Sequence, residues 1–342
     1  MCSLSVMRES LPEGERQAWI DLFDAENQGE IIYMETILTL LGMTVVLTVI
    51  AGKKKRSSDT SGTSSHRSAS IPPKQNSLKE ELKERMADFI EFDYFSLVIQ
   101  PVVDYRQGDA ASGEILSRLN HPERGLIFPD AFLPAVDEAG LYPQFDRYIF
   151  QKSCVWLSRA LEKGENIEHI SCNFSRKTLS EEGLPDQLAQ IADSYSISHG
   201  KLGIEITERE RENDSRQFRN NLDQLKKYGF RLYLDDYGTG VTTVEELSEY
   251  PLDVVKIDRS VLCAANTEKG KEDYRFLVAM ARNLGLEVIC EGIETEEQNS
   301  FAQEAGCRYG QGFLFFRPVD VNKAFELIDQ SQIKIKKQKH YL

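Results

Sequence analysis

The sequence predicts an α/β protein in which residues 77–342 close into a (β/α) barrel behind a separate N-terminal region. Three observations lead there. Short apolar, strand-like segments alternate with amphipathic helical ones, which implies parallel strands joined by crossover helices. About eight such units fit into roughly 265 residues, the size of a closed barrel. Polar residues, carboxylates foremost, recur in or at the ends of the strand-like segments, and the strand ends of a barrel converge on one rim. An open doubly wound sheet is the competing arrangement, but it normally carries a Gly-rich turn after its first strand, and none is present.

The elements can be justified in chain order. Residues 31–52 (IIYMETILTLLGMTVVLTVIAG) are apolar apart from Glu35 and the threonines, and a helix of this length spans about 33 Å, the thickness of a bilayer core. Lys53, Lys54, Lys55 and Arg56 follow at once, whereas residues 1–30 hold Arg8 and Arg16 against seven acids. The positive-inside rule then predicts a single-pass transmembrane helix with residues 1–30 outside and the rest in the cytoplasm. A buried helix or a hydrophobic partner-binding segment is the alternative, because Glu35 weakens the span. Residues 53–76, basic and then rich in Ser, Thr and Pro, read as a flexible linker. An external segment of thirty residues is short for a sensor, so input from a partner membrane protein or from dimerisation is expected.

Ser77 is placed to cap a helix through LKEELKERMADFI, and residues 94–103 (YFSLVIQPVV) read as the first strand. Further strands are expected in EHISCNF, KLGIEIT, FRLYLDD, DVVKID and LEVICEG, with helices such as SRQFRNNLDQLKKYG and DYRFLVAMARNLG between them. Glu114 lies in GEILSRL, Asn173 near the end of HISCNF, Glu205 in LGIE, Asp235 in LYLD, Lys256 in DVVK and Glu291 in VICE, and Gln311 follows CRYG. Carboxylates packed on one rim repel unless cations lie between them, and Glu, Asp and Asn oxygens suit Mg²⁺ or Mn²⁺. The expected occupant is a pair of divalent cations bridged by Asp235 next to Asp236, the arrangement that hydrolyses phosphate esters. In a regular strand those two aspartates would face opposite ways, so a turn must begin at the second. Lys256 would orient the attacking water or stabilise phosphate charge, and Glu291 is a candidate base.

A formal net charge of −14 argues against DNA or RNA as a partner, since nucleic acids are held largely by Lys and Arg. Six cysteines without metal-ligand spacing read as reduced residues of a cytosolic domain. His121 reads as a loop-stabilising residue, and Phe150, Cys154 and Trp156 as core.

From about residue 91 to 318, the motifs FSLVIQPVVD, GEILSRLNHPERGLIFPDAFLPAVDEAGL, SCNFSRKTL, IEITE, LDDYGTG, DVVKIDRSVL, ICEGIETEEQ and GCRYGQGFLFFRPV occur in an order that resembles the EAL-domain family of cyclic di-GMP phosphodiesterases. The resemblance implies a modified TIM-type (β/α)8 barrel with an antiparallel first strand, and hydrolysis of cyclic di-GMP to linear pGpG. It implies that Glu114, Asn173, Glu205 and Asp235 hold one cation, and that Asp235 and Asp236, with Glu291 as a further candidate, hold the other. By the same resemblance Lys256 holds the catalytic water, Glu291 is the base, Gln311 and Arg118 contact substrate, Glu208 braces the loop over residues 236–243, and Glu294, in the family's second glutamate position, is the other loop-stabilising residue. A homodimer and a bacterial inner-membrane location with a cytoplasmic catalytic domain follow as expectations.

The chain departs from the family at Ile115, where Ala is usual, at Leu119 and Val241, where aromatic residues are usual. Strand alternation turns Ile115 away from Glu114, so its extra volume is a packing matter, whereas Leu119 is expected to weaken contacts around the substrate. A family member that binds the dinucleotide or a protein partner without hydrolysis is the competing function.

Overall fold

The computed structural model describes residues 77–207, 215–239 and 244–324. The expected membrane span at residues 31–52, the linker, Glu208 and Val241 lie outside the described residues. Among the described residues no helix is long and apolar enough to cross a membrane.

The first helix, α1 (Leu78–Glu91), begins at Ser77: its hydroxyl accepts from the Glu80 amide while the Glu80 carboxylate accepts from the Ser77 amide, a reciprocal cap. It buries Leu82, Met86, Phe89 and Ile90, one face at helical spacing. Strands β1 (Phe95–Asp104), β2 (Asp109–His121) and β3 (Gly125–Ile127) follow as antiparallel neighbours. The chain then runs through α2 (Pro129–Glu138), α3 (Tyr142–Glu162), β4 (His169–Phe174), α4 (Arg176–Leu179), α5 (Leu184–Ser194), β5 (Leu202–Thr207), α6 (Arg216–Tyr228) and β6 (Arg231–Tyr237). The last part comprises α7 (Val244–Glu249), β7 (Val254–Ile257), α8 (Arg259–Ala264), α9 (Glu268–Asn283), β8 (Glu287–Cys290), α10 (Glu296–Ala305), β9 (Tyr309–Gly310) and β10 (Val319–Asp320).

Strands β2, β4, β5, β6, β7, β8 and β9 pair in parallel in that order, and β1 closes the ring by pairing antiparallel with both β9 and β2. The parallel strands therefore end on one rim. β10 pairs with the outer part of β1. Strand register climbs around the ring: Asn173 is level with Glu205, but Glu205 is level with Tyr233, which sets Asp235 two positions higher. This stagger is the shear that a tilted, closed sheet requires.

Alternation along the strands separates two interiors. Residues such as Ile115, Cys172, Ile204, Leu234, Val255 and Val288 face outward into the main core under the helices. Their alternates face the lumen, where Val102, Tyr233, Val254, Ile289 and Tyr309 form a small apolar cluster of their own. Gly203 makes room for it, because a Cβ there would lie 2.6 Å from the Tyr233 ring. Two positions further along the same strands come Asp235, Lys256, Glu291 and Gln311. The apolar layer is thus the floor on which the polar rim is built, and it shuts out water from below.

Candidate active site

The two adjacent aspartates show how the chain bends to make the rim. Strand β6 loses regular register with β7 between Leu234 and Tyr237. Asp236 adopts φ 58°, a left-handed conformation uncommon for a residue with a side chain, and one an Asp tolerates better than most. This twist turns the second carboxylate to the side of the first. Asp235, Asp236 and Glu291 then each offer an oxygen, all within 4.8 Å of one another.

At the centre is Lys256, whose side chain is 1% exposed. Its Nζ lies 2.8 Å from Glu205 Oε2, 2.9 Å from Glu291 Oε1, 3.0 Å from Glu114 Oε2 and 3.1 Å from Asp235 Oδ1. The four carboxylates come from four different strands or strand ends. Two amides complete the shell: Asn173 donates to Glu114 Oε1 at 2.7 Å, and Gln311 donates to Glu114 Oε2 at 2.9 Å. All seven residues of the predicted rim are therefore brought together, with Asp236 beside them.

One ammonium cannot balance four carboxylates in a buried place, and the protonation tendencies reflect that excess. Burial alone would raise the Glu114 carboxyl, but Lys256, Gln311 and Asn173 outweigh it and hold it below its ordinary value. Glu205 is pushed up to about 8 by burial and by the neighbouring charge of Glu114. Asp235 is raised, chiefly by burial and Glu114, and Glu291 is raised well above the carboxylate range by burial with Asp235 and Glu114 beside it. Lys256, which burial would lower, is raised because four carboxylates surround it.

The donor set fits divalent cations. Every group apart from Lys256 offers oxygen, the preferred donor for Mg²⁺ or Mn²⁺. Glu205 Oε1 is buried without a hydrogen-bond partner, and Asp235 Oδ1 touches Lys256 without the alignment of a hydrogen bond. Buried acceptors of this kind are costly unless something positive meets them.

Above the cluster opens a cavity of about 260 Å³, lined by Gln100, Glu114, Glu291 and Gln311 together with Arg259, Glu294 and Phe313. Gln100, opposite Glu114 across the β1–β2 pair, and Arg259 are the residues sequence reasoning passed over. The signal for Gln100 was a polar residue inside the otherwise apolar run FSLVIQPVV. Arg259 had a weaker one, its place three residues beyond Lys256 just past the strand end.

The remaining predicted residues fall around this centre. Arg118 is largely buried, donates to the Ser117 carbonyl at 2.8 Å and lies over the Phe128 ring. Glu294 pairs with Arg259 at 2.9 Å. His121 accepts from the amides of Glu123 and Arg124, holding the β2–β3 turn as expected. Ile115 faces the outer core, beside a cavity of about 160 Å³ that it helps to line, so its bulk is accommodated. The expectation for Leu119 is corrected: it is fully buried in the same outer core, on the side of β2 opposite Glu114 and Arg118, so it packs helices and does not face the substrate side.

The sequence pattern of the EAL domain matches residues 82–318. The chain is 30% identical over 243 residues to the cyclic di-GMP phosphodiesterase NbdA of Pseudomonas aeruginosa, a match covering 71% of this chain and 30% of that protein. It is 29% identical over 235 residues to the probable cyclic di-GMP phosphodiesterase PdeB of Escherichia coli, covering 68% of this chain and 44% of that one. The matched region is thus less than half the length of either relative. Among solved structures it is similar to the PaMucR phosphodiesterase in complex with c-di-GMP, with a TM-score of 0.67 and 30% identity over 71% of this chain and 99% of that one.

Proposed function

The chain belongs to the EAL-domain family, and from that premise we propose that it is a metal-dependent phosphodiesterase that hydrolyses cyclic di-GMP to linear pGpG. The observation that carries this reading is the buried Lys256 gripped by Glu114, Glu205, Asp235 and Glu291 on a dry floor, with more negative charge than one cation can balance.

Two divalent cations, Mg²⁺ or Mn²⁺, would be held by Glu114, Asn173, Glu205, Asp235, Asp236 and Glu291, and when bound would polarise the phosphate and lower the pKa of the attacking water. Lys256, fixed by its four partners, presents a positive charge toward the water and the phosphate oxygens as charge develops there. Glu291, on the cavity wall, takes the water proton. The new P–O bond forms as the bond to the ribose 3′-oxygen breaks, and that oxygen leaves as a hydroxyl, taking its proton from solvent water. Gln311 and Asn173 keep Glu114 ionised and aimed, while Arg118 contacts a substrate phosphate. Glu208 belongs to the positioning of the loop after Asp236, and Glu294 pairs with Arg259 on the cavity wall.

The wider reading is a single-pass protein of the bacterial inner membrane, anchored through residues 31–52 with the barrel in the cytoplasm, acting as a homodimer and receiving input from a membrane partner. The charge asymmetry around residues 31–56 supports it. The test of function is turnover: the purified full chain should convert cyclic di-GMP to pGpG with Mg²⁺ or Mn²⁺. Tight binding of the dinucleotide without turnover at any metal concentration would instead identify a receptor.

A further inference from the structure

Beyond the metal cluster and Arg118, the acidic mouth of the barrel needs positive charge to hold a ligand with two phosphates. A cyclic dinucleotide carries two phosphates, and only one can be attacked at the metal cluster. The cavity above is the space the structure offers the other, and its wall includes Glu114, Glu291 and Glu294. Among the residues lining that cavity the cation is Arg259.

Arg259 is held there by the fold. It opens α8 immediately after β7, three residues beyond Lys256. Its aliphatic stem lies across Gly292, where a Cβ would come within 2.3 Å of Arg259 Cγ, and Gly292 has φ 67°. A side chain at residue 292 would be strained and would also collide with Arg259, so the glycine after Glu291 is what lets this arginine lie over the end of β8. Its guanidinium ends 2.9 Å from Glu294, in a pair whose side chains are 53% and 41% exposed. Exposed pairs of this kind are weakly held. A phosphate, with oxygens spaced to accept two parallel N–H donors, is a stronger partner for a guanidinium than one exposed carboxylate.

We propose that Arg259 binds the phosphate of the cyclic dinucleotide that is not attacked, and that Glu294 parks the guanidinium at the cavity wall until that phosphate displaces it. The inference rests on the phosphodiesterase reading for its substrate. It gives Arg259 a task separate from the metal cluster: the arginine sets affinity and register for a two-phosphate ligand and takes no part in breaking the bond. It also gives Glu294 a partner of its own on the cavity wall.

The experiment compares the full-length chain with Arg259→Ala, Arg259→Lys and Glu294→Gln. Binding of cyclic di-GMP is measured by calorimetry. Steady-state hydrolysis is measured on cyclic di-GMP and on bis(p-nitrophenyl) phosphate, which has a single phosphodiester. Arg259→Ala should weaken binding of cyclic di-GMP and raise its KM by about ten-fold or more, with kcat within about three-fold, and should leave turnover of the one-phosphate substrate unchanged. Arg259→Lys should recover part of the loss, because it keeps the charge without the fork. Glu294→Gln should bind as tightly as the parent or more tightly. Unchanged binding in Arg259→Ala, or equal losses on both substrates, would overturn the proposal. A parent chain that binds cyclic di-GMP but never hydrolyses it would overturn the enzymatic reading alone, with the Arg259→Ala binding constant still deciding this one.

Discussion

Replacing Lys256 with Met removes one charge and keeps nearly the same length of side chain, so the packing above the lumen floor is retained. What is lost is the ammonium in contact with Glu114, Glu205, Asp235 and Glu291 at 2.8 to 3.1 Å. Removing one partner of a buried ion pair costs about 3–5 kcal/mol when the groups left behind stay charged. The carboxylates have an escape, which is to bind protons, so the cost should be largest near pH 8 and shrink toward pH 5. Divalent cations offer a second escape, restoring about 2.7 kcal/mol at one hundred times their dissociation constant. Urea unfolding at the two pH values, with and without Mn²⁺, measures both effects. The variant should be markedly less stable than the parent at pH 8 without metal, and the gap should narrow on acidification or on adding Mn²⁺. Activity should fall about 10²- to 10³-fold even where stability is restored, as when a preorganised transition-state donor is removed. Equal stability of the two proteins at pH 8 without metal would mean that the four carboxylates do not depend on Lys256.

In the metal-free parent, Glu205 rises from 4.5 to about 8 on folding, so the folded state binds the proton more tightly than the unfolded chain; stability should be highest below about pH 4.5 for this group and fall as pH climbs to 8, by at most about 5 kcal/mol, a slope that saturating Mg²⁺ should flatten in unfolding curves. Asp236→Gly should relieve the left-handed backbone at φ 58° and stabilise the metal-free protein by about 0.5–1 kcal/mol, while raising the metal concentration for half-maximal activity more than about ten-fold; a variant that is both less stable and unchanged in metal demand would count against the assigned twist. Ile115→Ala should cost about 2–4 kcal/mol in urea unfolding by enlarging the cavity beside it, with kcat within a few-fold of the parent. Deleting residues 31–52 should move the chain from the membrane fraction to the soluble fraction without loss of turnover, and a deletion variant that stays with membranes would argue for another anchor.

The barrel was legible because its signals are periodic. Ser77, Ser215 and Gly229 mark helix ends where capping chemistry predicts them, and Glu114, Asn173, Glu205, Asp235, Lys256 and Glu291 fall in phase with successive strands. Periodicity also predicts the floor, since each of these residues lies two positions beyond a lumen-facing one. Helix α9 begins at Glu268, earlier than the segment from Asp273 that the pattern suggested, because Thr267 caps the helix onto the amide of Gly270 and the glycine is carried inside it. Composition reads such a glycine as a breaker. The direction of Asp236 required a positive φ that no residue pattern encodes. Leu119 follows Arg118 in sequence, but alternation puts the two on opposite faces of β2, so the expected substrate-side role for Leu119 does not hold. Arg259 was missed for the converse reason: its place depends on Gly292 and Glu294, which are distant in sequence and meet it only when β7 and β8 pair.

Everything proposed for the rim cluster depends on its being a metal-dependent phosphodiesterase centre. The most direct test is the conversion of cyclic di-GMP by the purified full chain, followed by separation of the nucleotides, with Mg²⁺, with Mn²⁺, with chelator, and with Glu114→Ala as control. The parent should yield linear pGpG with either cation, and none should form with chelator or with Glu114→Ala. Intact cyclic di-GMP in every reaction, or equal turnover by Glu114→Ala, would contradict that role.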